Sequence, residues 1–288
     1  MANAVDAILI RQYSDNIQLL SQQLLPILKP TVFIKSGCIG EMAFQDQLAS
    51  TEAEEKIGRN QDVVNDDPLY NRRKIVPRYF YKAPLVDSMD KVFMAKDPTS
   101  EIVQNNGGAL ARAQDTVIAE ALFGTAYNGK DGTVSNDLTA ANKVAIDGTN
   151  GLTVSKLRAA VQILNEYSVP QGDRFCAHSA AQLTNMLAAT EVTSSDFNTV
   201  KALVDGQMGA TFLGLKFVMT EKMPITTTTR KVGVYHRSGL VLGIWLDMKA
   251  SIDILPGKHF SAQIYAGQSY GATRLEEEKV VEISCYEA

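Results

Sequence analysis

Apolar residues mark out one long helix before anything else in the chain. Val103, Leu110, Val117, Ile118, Ala121 and Leu122 recur at steps of three and four, which places them on one face of a helix. Asp97 is the predicted N-cap, and Pro98 takes the first helical position, where a missing N–H costs nothing. Gly124 is the predicted stop. A helix of ~26 residues at ~1.5 Å per residue is a rod of roughly 39 Å. Before it, Lys74 to Met94 alternates and reads as extended chain. A long helix fed by an extended arm suits a protein that must reach its neighbours.

At the N-terminus, residues 4–28 show a helical pattern through Val5, Ile8, Leu9, Leu19, Leu20, Leu24 and Leu25, with Pro26 and Pro30 ending it. The polar face is rich in Gln. It reads either as a helix packed on its own domain or as an arm that docks on a neighbouring subunit. Residues 41–73 crowd Glu52, Glu54, Glu55, Lys56, Arg59, Asp62, Asp66, Asp67, Arg72 and Arg73 among few large apolar residues. Such a segment cannot make a core by itself. Pro77 predicts an edge strand or a bend. Residues 45–92 therefore read as a projecting hairpin suited to contact between chains, with a solvated loop as the other reading.

After the long helix, residues 124–151 are rich in Gly, Asn, Asp and Thr and read as turns and short strands. Thr153 is the expected cap of a helix carrying Leu157, Ala160, Val161 and Leu164, which stops before Pro170. Arg174 to His178 reads as a strand, and Ser179 with Gln182 as a capping box opening a helix with Leu183, Met186 and Leu187. A polar turn at Thr190–Ser195 precedes a short helix with Val200, Leu203 and Val204, stopped by Gly206. Thr211 to Thr220 reads as one strand. Strands then follow at Val232–Tyr235, Leu240–Trp245, Ile252–Leu255, Ala262–Tyr265 and Val280–Ile283. The late strands have no helix of their own, so the long helix is their expected cover in one α+β domain, with residues 151–248 inserted as a second.

Composition narrows the class. The chain of 288 residues is 45% hydrophobic and 21% charged, ordinary for a folded soluble protein. A net charge of −4 argues against a dedicated nucleic-acid-binding domain. Three widely spaced cysteines, Cys38, Cys176 and Cys285, fit a reducing compartment rather than a disulfide framework. No apolar run approaches the ~18 residues of a membrane span, and the start lacks the look of a signal peptide. Cytoplasmic synthesis is the expectation.

Candidate chemistry is thin. Gly124 to Lys130 spells G-x-x-x-x-G-K, but Asp131 stands where a phosphate-binding loop needs Ser or Thr, and no helix is expected to follow. Gly267-Gln268-Ser269-Tyr270-Gly271 matches a nucleophile elbow, yet the last histidine, His259, precedes it and a charged strand region follows. The two glycines read better as a bulge or bend. Cys176 and His178 share a strand face, with a half-buried thiol and a surface imidazole expected, and neither His236 nor His259 has ligand spacing. No catalytic, cofactor or metal site is expected, and the expected class is not an enzyme.

The order of these parts resembles the major capsid proteins of tailed double-stranded DNA bacteriophages, with the HK97-like fold. The likeness rests on Arg72-Arg73 followed by PLVDSMDKVFMAKDPTSEIVQNNGGALARAQDTVIAEALFGTA. A second block runs LTVSKLRAAVQILNEYSVPQGDRFCAHSAAQLTNMLAATEVTSSDFNTVKALVDGQMGATFLGLKFVMTEKMP, of which TEVTSSDFNTVKALV is the most specific piece. Together they cover roughly residues 70–288, and the N-terminal part more loosely.

The resemblance implies an α+β chain with an N-terminal arm at 1–40, an extended E-loop hairpin at 41–95 lying over an adjacent subunit, a peripheral domain with the spine helix at 96–150, an axial domain at 151–248, and peripheral C-terminal strands at 249–288. It implies self-assembly into hexamers and pentamers of an icosahedral phage head, assembled in the host cytoplasm and enclosing double-stranded DNA without sequence-specific binding. Scaffolding, portal or decoration proteins, and in some relatives a protease, are the partners it implies, with no membrane. An encapsulin-like shell around protein cargo is the alternative, and a hydrolase or nucleotide enzyme using Ser269 or Lys130 the third reading. Arg72, Arg73, Lys74 and Arg78 are the expected inter-subunit contacts, facing acidic residues such as Glu276, Glu277 and Glu278 of a neighbour. Each exposed pair contributes only ~0.2–1 kcal/mol. No Lys–Asn crosslinking site can be matched.

Overall fold

The structure is a computed structural model that describes residues 22–59, 62, 67–87, 99–188 and 211–287. The expected cap at Asp97 and Pro98, the turn at Thr190–Ser195, the helix of Val200, Leu203 and Val204, and most of the N-terminal helix lie outside the described residues. Among the described residues the strands are β1 (Phe33–Ser36), β2 (Ala43–Leu48), β3 (Tyr70–Ile75), β4 (Arg78–Lys82), β5 (Leu85–Val86), β6 (Ala126–Asn128), β7 (Val134–Asn136) and β8 (Lys143–Val144). They continue with β9 (Arg174–His178), β10 (Lys216–Met219), β11 (Ile225–Thr226), β12 (Thr229–His236), β13 (Leu240–Leu255), β14 (Ser261–Arg274) and β15 (Val280–Tyr286). The helices are α1 (Thr99–Phe123), α2 (Val154–Glu166) and α3 (Ala180–Leu187).

The chain divides into two compact units. The first gathers Tyr79–Ala113 and Leu246–Gln268 with the N-terminal residues to Pro26. Here the first half of α1 places Asn106 so that its amide donates to the Ile264 carbonyl at 3.2 Å, and Gln268 donates to the Leu110 carbonyl at 3.0 Å. Arg112 holds the incoming chain through the Gln23 carbonyl at 2.9 Å. β5 pairs antiparallel with β14 at Ala262 and Gln263. Val103, expected on the buried face of α1, is 38% exposed.

The second unit gathers Ile27–Arg78, Gln114–Trp245 and Ser269–Ala288. Its six-stranded sheet runs β10-β9-β12-β15-β8, with β11 on β12. Val154, Leu157, Ala160 and Leu164 of α2 and Met186 of α3 bury against Cys176, Val232, Val234, Val281, Ile283 and Cys285 of that sheet. Each fully buried aliphatic side chain contributes about 1.5–3 kcal/mol. β15 pairs antiparallel with β12 along Thr229–Tyr235, because its alternate apolar residues complete this core. The C-terminal end of α1 does reach the sheet, where Leu122 and Phe123 lie over Gly233.

Helix ends follow local sequence closely. The Gly124 N–H donates to the Glu120 carbonyl at 2.8 Å and closes α1. Thr153 caps α2 by accepting from the Lys156 N–H at 3.3 Å. Ser179 caps α3 by accepting from the Gln182 N–H at 3.5 Å. The other half of that capping box is absent, since the Gln182 side chain turns instead to Leu152 at 2.6 Å and Tyr286 at 3.1 Å.

Several strand expectations change. The strand at Thr211–Thr220 shrinks to Lys216–Met219, because Phe212 and Leu215 bridge each other across a tight turn with Leu213 and Gly214 at positive φ. Leu240 to Leu255 is one strand of 16 residues, since no Gly or Pro interrupts Asp247–Ser251. β14 runs through Gly267 and Gly271 without a break. Gly271 serves close approach, as a Cβ there would collide with the Val76 carbonyl oxygen. Residues 22–28 are not helical, and Leu25 is 76% exposed.

Candidate assembly surface

β2 and β3 pair antiparallel from Ala43–Ile75 to Leu48–Tyr70 and form the projecting hairpin. Every described residue from Leu48 to Asp67 is exposed. Leu48, Ile57, Leu69 and Tyr70 hold large apolar side chains there, at 60%, 88%, 74% and 77% exposure. Large apolar side chains exposed together on one hairpin make it a candidate interaction surface. Pro77 lies in the break between β3 and β4, and β4 ends its sheet order as an edge strand.

The root of the hairpin is fixed by charge. The Arg73 Nε donates to the Leu275 carbonyl at 2.8 Å, and its Nη2 donates to Glu277 Oε2 at 2.5 Å. Glu277 also takes Arg274, whose Nε lies 3.4 Å from Oε1. Arg274 is fully buried, and its remaining N–H groups donate to the carbonyls of Leu122, Gly124 and Asn136 at 2.9–3.1 Å. Burial lowers the Arg274 pKa, with Glu277 opposing that shift. Beside this cluster lies a polar cavity of about 760 Å³, lined among others by Arg73, Asn136, Asn142, Tyr167 and Glu278. Arg73 Nη1 is buried there without a hydrogen-bond partner among the described residues.

The seven residues singled out from sequence thus have distinct places. Arg73 and Glu277 meet within one chain. Arg72 pairs with Asp46 at 3.1 Å across the hairpin and stacks over Phe44 at 5.3 Å. Arg78 pairs with Glu120 of α1 at 2.5 Å, with both side chains half exposed. Lys74 lies over Gly132. Glu276 takes Lys279 at 2.6 Å, and Glu278 is exposed. Arg274 was missed. A lone arginine ending a strand carries no periodic signal, and its role comes from carbonyls more than a hundred residues away.

In the first unit, the rings of Tyr79, Tyr81 and Tyr265 form a row with centroids 6.2 and 6.5 Å apart, and the Tyr79 and Tyr265 hydroxyls hydrogen-bond. Next to them is an apolar groove of about 380 Å³ lined by Val103, Gly107, Met248, Ile252 and Ile264.

The enzyme motifs find no supporting geometry. Gly124–Lys130 enters the β6–β7 hairpin, with Gly129 at φ +92° in its turn, and opens no helix. Ser269 lies within β14 and is followed by strand. Cys176 and His178 are both buried, not half-buried and surface as expected, because β9 is covered on both faces. Burial pushes the Cys176 thiol far up and Cys285 up to about 12, so both stay neutral. Burial also lowers the His178 pKa, while Nδ1 sits 2.9 Å from the Ser179 carbonyl. Among the described residues no group of three or more His, Cys, Asp or Glu stands in a metal-binding arrangement, and no helix is long and apolar enough to cross a membrane.

The sequence model of the family described as phage capsid protein matches residues 5–287. This chain belongs to that family. Its role is structural, as a capsid protein. Comparison with curated proteins gives no match. Among solved structures, a chain of Mycobacterium phage Che8 matches with TM-score 0.72 at 18% identity, over 96% of this chain and 97% of that one. The capsid of cyanophage P-SCSP1u matches with TM-score 0.77 at 14% identity, over 100% and 95%. The acid-stable capsid of Helicobacter pylori bacteriophage KHP30 matches with TM-score 0.77 at 11% identity, over 99% and 98%. The fold is HK97-like.

Proposed function

We propose that this chain is the major capsid protein of a tailed phage, assembling into hexamers and pentamers of an icosahedral head around double-stranded DNA. The observation that carries the reading is the hairpin, whose apolar residues Leu48, Ile57, Leu69 and Tyr70 are exposed in a chain matched over residues 5–287 by a capsid family. In this reading residues 1–40 are the N-terminal arm, 41–95 the E-loop over a neighbour and 96–150 the peripheral domain with the spine helix. Residues 151–248 form the axial domain, joined by the strand Val280–Tyr286, and the rest of 249–288 is peripheral.

Arg72, Arg78, Lys74, Glu276 and Glu278 remain the charged contact candidates between subunits, while Arg73 and Glu277 serve within the subunit. No catalytic group takes part. Scaffolding, portal and decoration proteins fit as partners, with assembly in the host cytoplasm. The −4 net charge supports confinement of DNA without gripping it. Negative-stain electron microscopy of the purified protein, beside sedimentation velocity, tests the reading. Rings or closed shells of one diameter with nuclease-protected DNA are expected when the protein is made with its phage partners. Particles filled with protein cargo overturn the phage reading in favour of a compartment shell, and a subunit that stays monomeric under those conditions overturns assembly itself.

A further inference from the structure

We infer that Glu277 is a positioning residue that sets the direction in which the hairpin leaves the body of the subunit. The inference rests on the assembly reading only for its consequence, not for its geometry. The hairpin's polar anchors to the turn at Leu275–Glu277 come from Arg73 and from Gln47, whose Nε2 donates to the Leu275 carbonyl at 3.0 Å. Its pairing with the next strand is a single position, Arg73 opposite Asn128. On its other side the root is held by Lys35, which donates to the Phe44 carbonyl at 2.8 Å and to Gln45 Oε1 at 3.1 Å, and by the buried Ile75, but at the turn both hydrogen bonds share one carbonyl. The Glu277 carboxylate, gripping Arg73 on one side and Arg274 on the other, supplies a second fixed point at that turn.

The partners are unequal. Arg274 keeps three carbonyl acceptors without Glu277 but loses the ion pair that offsets its burial. Arg73 has only the Leu275 carbonyl besides Glu277, and its Nη1 has no partner among the described residues. Loss of Glu277 therefore falls on both the hairpin and the buried Arg274, whereas loss of the Arg73 guanidinium falls on the hairpin and leaves the Arg274–Glu277 pair in place. A buried ion pair of this kind is weak evidence for stability but is a good means of fixing one arrangement among several. A hairpin whose direction is fixed fixes the angle between a subunit and whatever chain its exposed apolar residues cover, and so the curvature of an assembly.

The test uses the full chain in dilute, unassembled form. All three native cysteines are buried, so spin labels at Leu48→Cys and Ser135→Cys, both exposed positions, react selectively. Electron–electron dipolar spectroscopy reads the distance between the hairpin and the β6–β7 hairpin. The expected result is one narrow distribution in the parent and its loss in Glu277→Gln and in Arg73→Met, with far-UV circular dichroism unchanged. If Glu277→Gln alone unfolds, Arg73→Met decides, because it leaves Arg274 and Glu277 together. Narrow distributions in both variants, or global unfolding of both, overturn the inference. Under assembly conditions the folded variants should lose the single particle diameter. A parent that never assembles counts against the capsid reading and leaves the distance result standing.

Discussion

Asp115 shows how much one side chain decides. It is fully buried, and its carboxylate accepts the backbone N–H of Ile27 at 2.9 Å and of Leu28 at 2.9 Å. Those bonds tie the chain preceding β1 to α1, and residues 22–28, at the end of the expected helix, are not helical. Asp115→Ala leaves the buried Leu28 N–H and the partly buried Ile27 N–H without this partner and should cost about 2–6 kcal/mol, from roughly 1–3 kcal/mol for each unsatisfied group, read as a shift in the urea midpoint. Acid sensitivity also resides in single residues. His178 is buried with its pKa lowered by desolvation, so the folded state resists its protonation. Its contribution is complete above the ordinary histidine value of ~6.5 and lost as pH falls through the lowered folded value. Burial opposes the Glu287 carboxylate, but hydrogen bonds from Arg230, Ser179 and Gln182 outweigh it and hold its pKa at about 2. That contribution is complete above the ordinary glutamate value of ~4.3 and lost only toward pH 2. Thermal melts across pH should show two separate losses on acidification, with His178→Gln reducing the upper one, which His236 shares because burial lowers its pKa too, and Glu287→Gln reducing the lower one.

At the scale of elements, the hairpin is separable from the core. The hairpin's anchors, Ile75, Arg73 and Gln47, lie near its root, and residues 48–59 are exposed throughout. Replacing residues 51–67 with a two-residue Asn-Gly turn should leave the melting temperature nearly unchanged and abolish closed shells in electron micrographs. Unfolding of that variant would place the segment in the core. This scale also shows what the sequence could reveal. The stop at Gly124 and the caps at Thr153 and Ser179 were legible because a cap is settled within three or four residues. The placement of β15 beside β12 was not, and neither was the parallel pairing of β1 with Val241–Ile244. Alternation says which face of a strand is apolar but not which strand lies beside it. The burial of His178 followed the same rule, since it depends on coverage from both sides. Arg73 and Glu277 were singled out as charges meeting a neighbour, and the fold spends that pair inside the subunit.

For the whole molecule, a shell built from many copies requires weak, reversible contacts, so that misplaced subunits dissolve before closure. Exposed ion pairs, such as Arg72 with Asp46 within the subunit, are individually worth ~0–1 kcal/mol and weaken with salt, and pairs of that kind between subunits meet this requirement. Ser269→Ala and Lys130→Ala should leave particle yield and diameter as in the parent, checked by sedimentation velocity. A loss of assembly together with loss of a measurable hydrolytic turnover would favour an enzyme instead.

The closing of β1 on β13 and of Arg73 on the Leu275 carbonyl has a consequence in time. The hydrogen bond from Arg73 spans 202 residues of chain. At roughly 5–20 residues per second on the ribosome, its partner emerges about 10–40 s later. Through that interval the hairpin strands exist without the turn that orients them, and the core lacks β15. Each new subunit therefore completes its fold only after β15 has emerged, which delays its first opportunity to meet another.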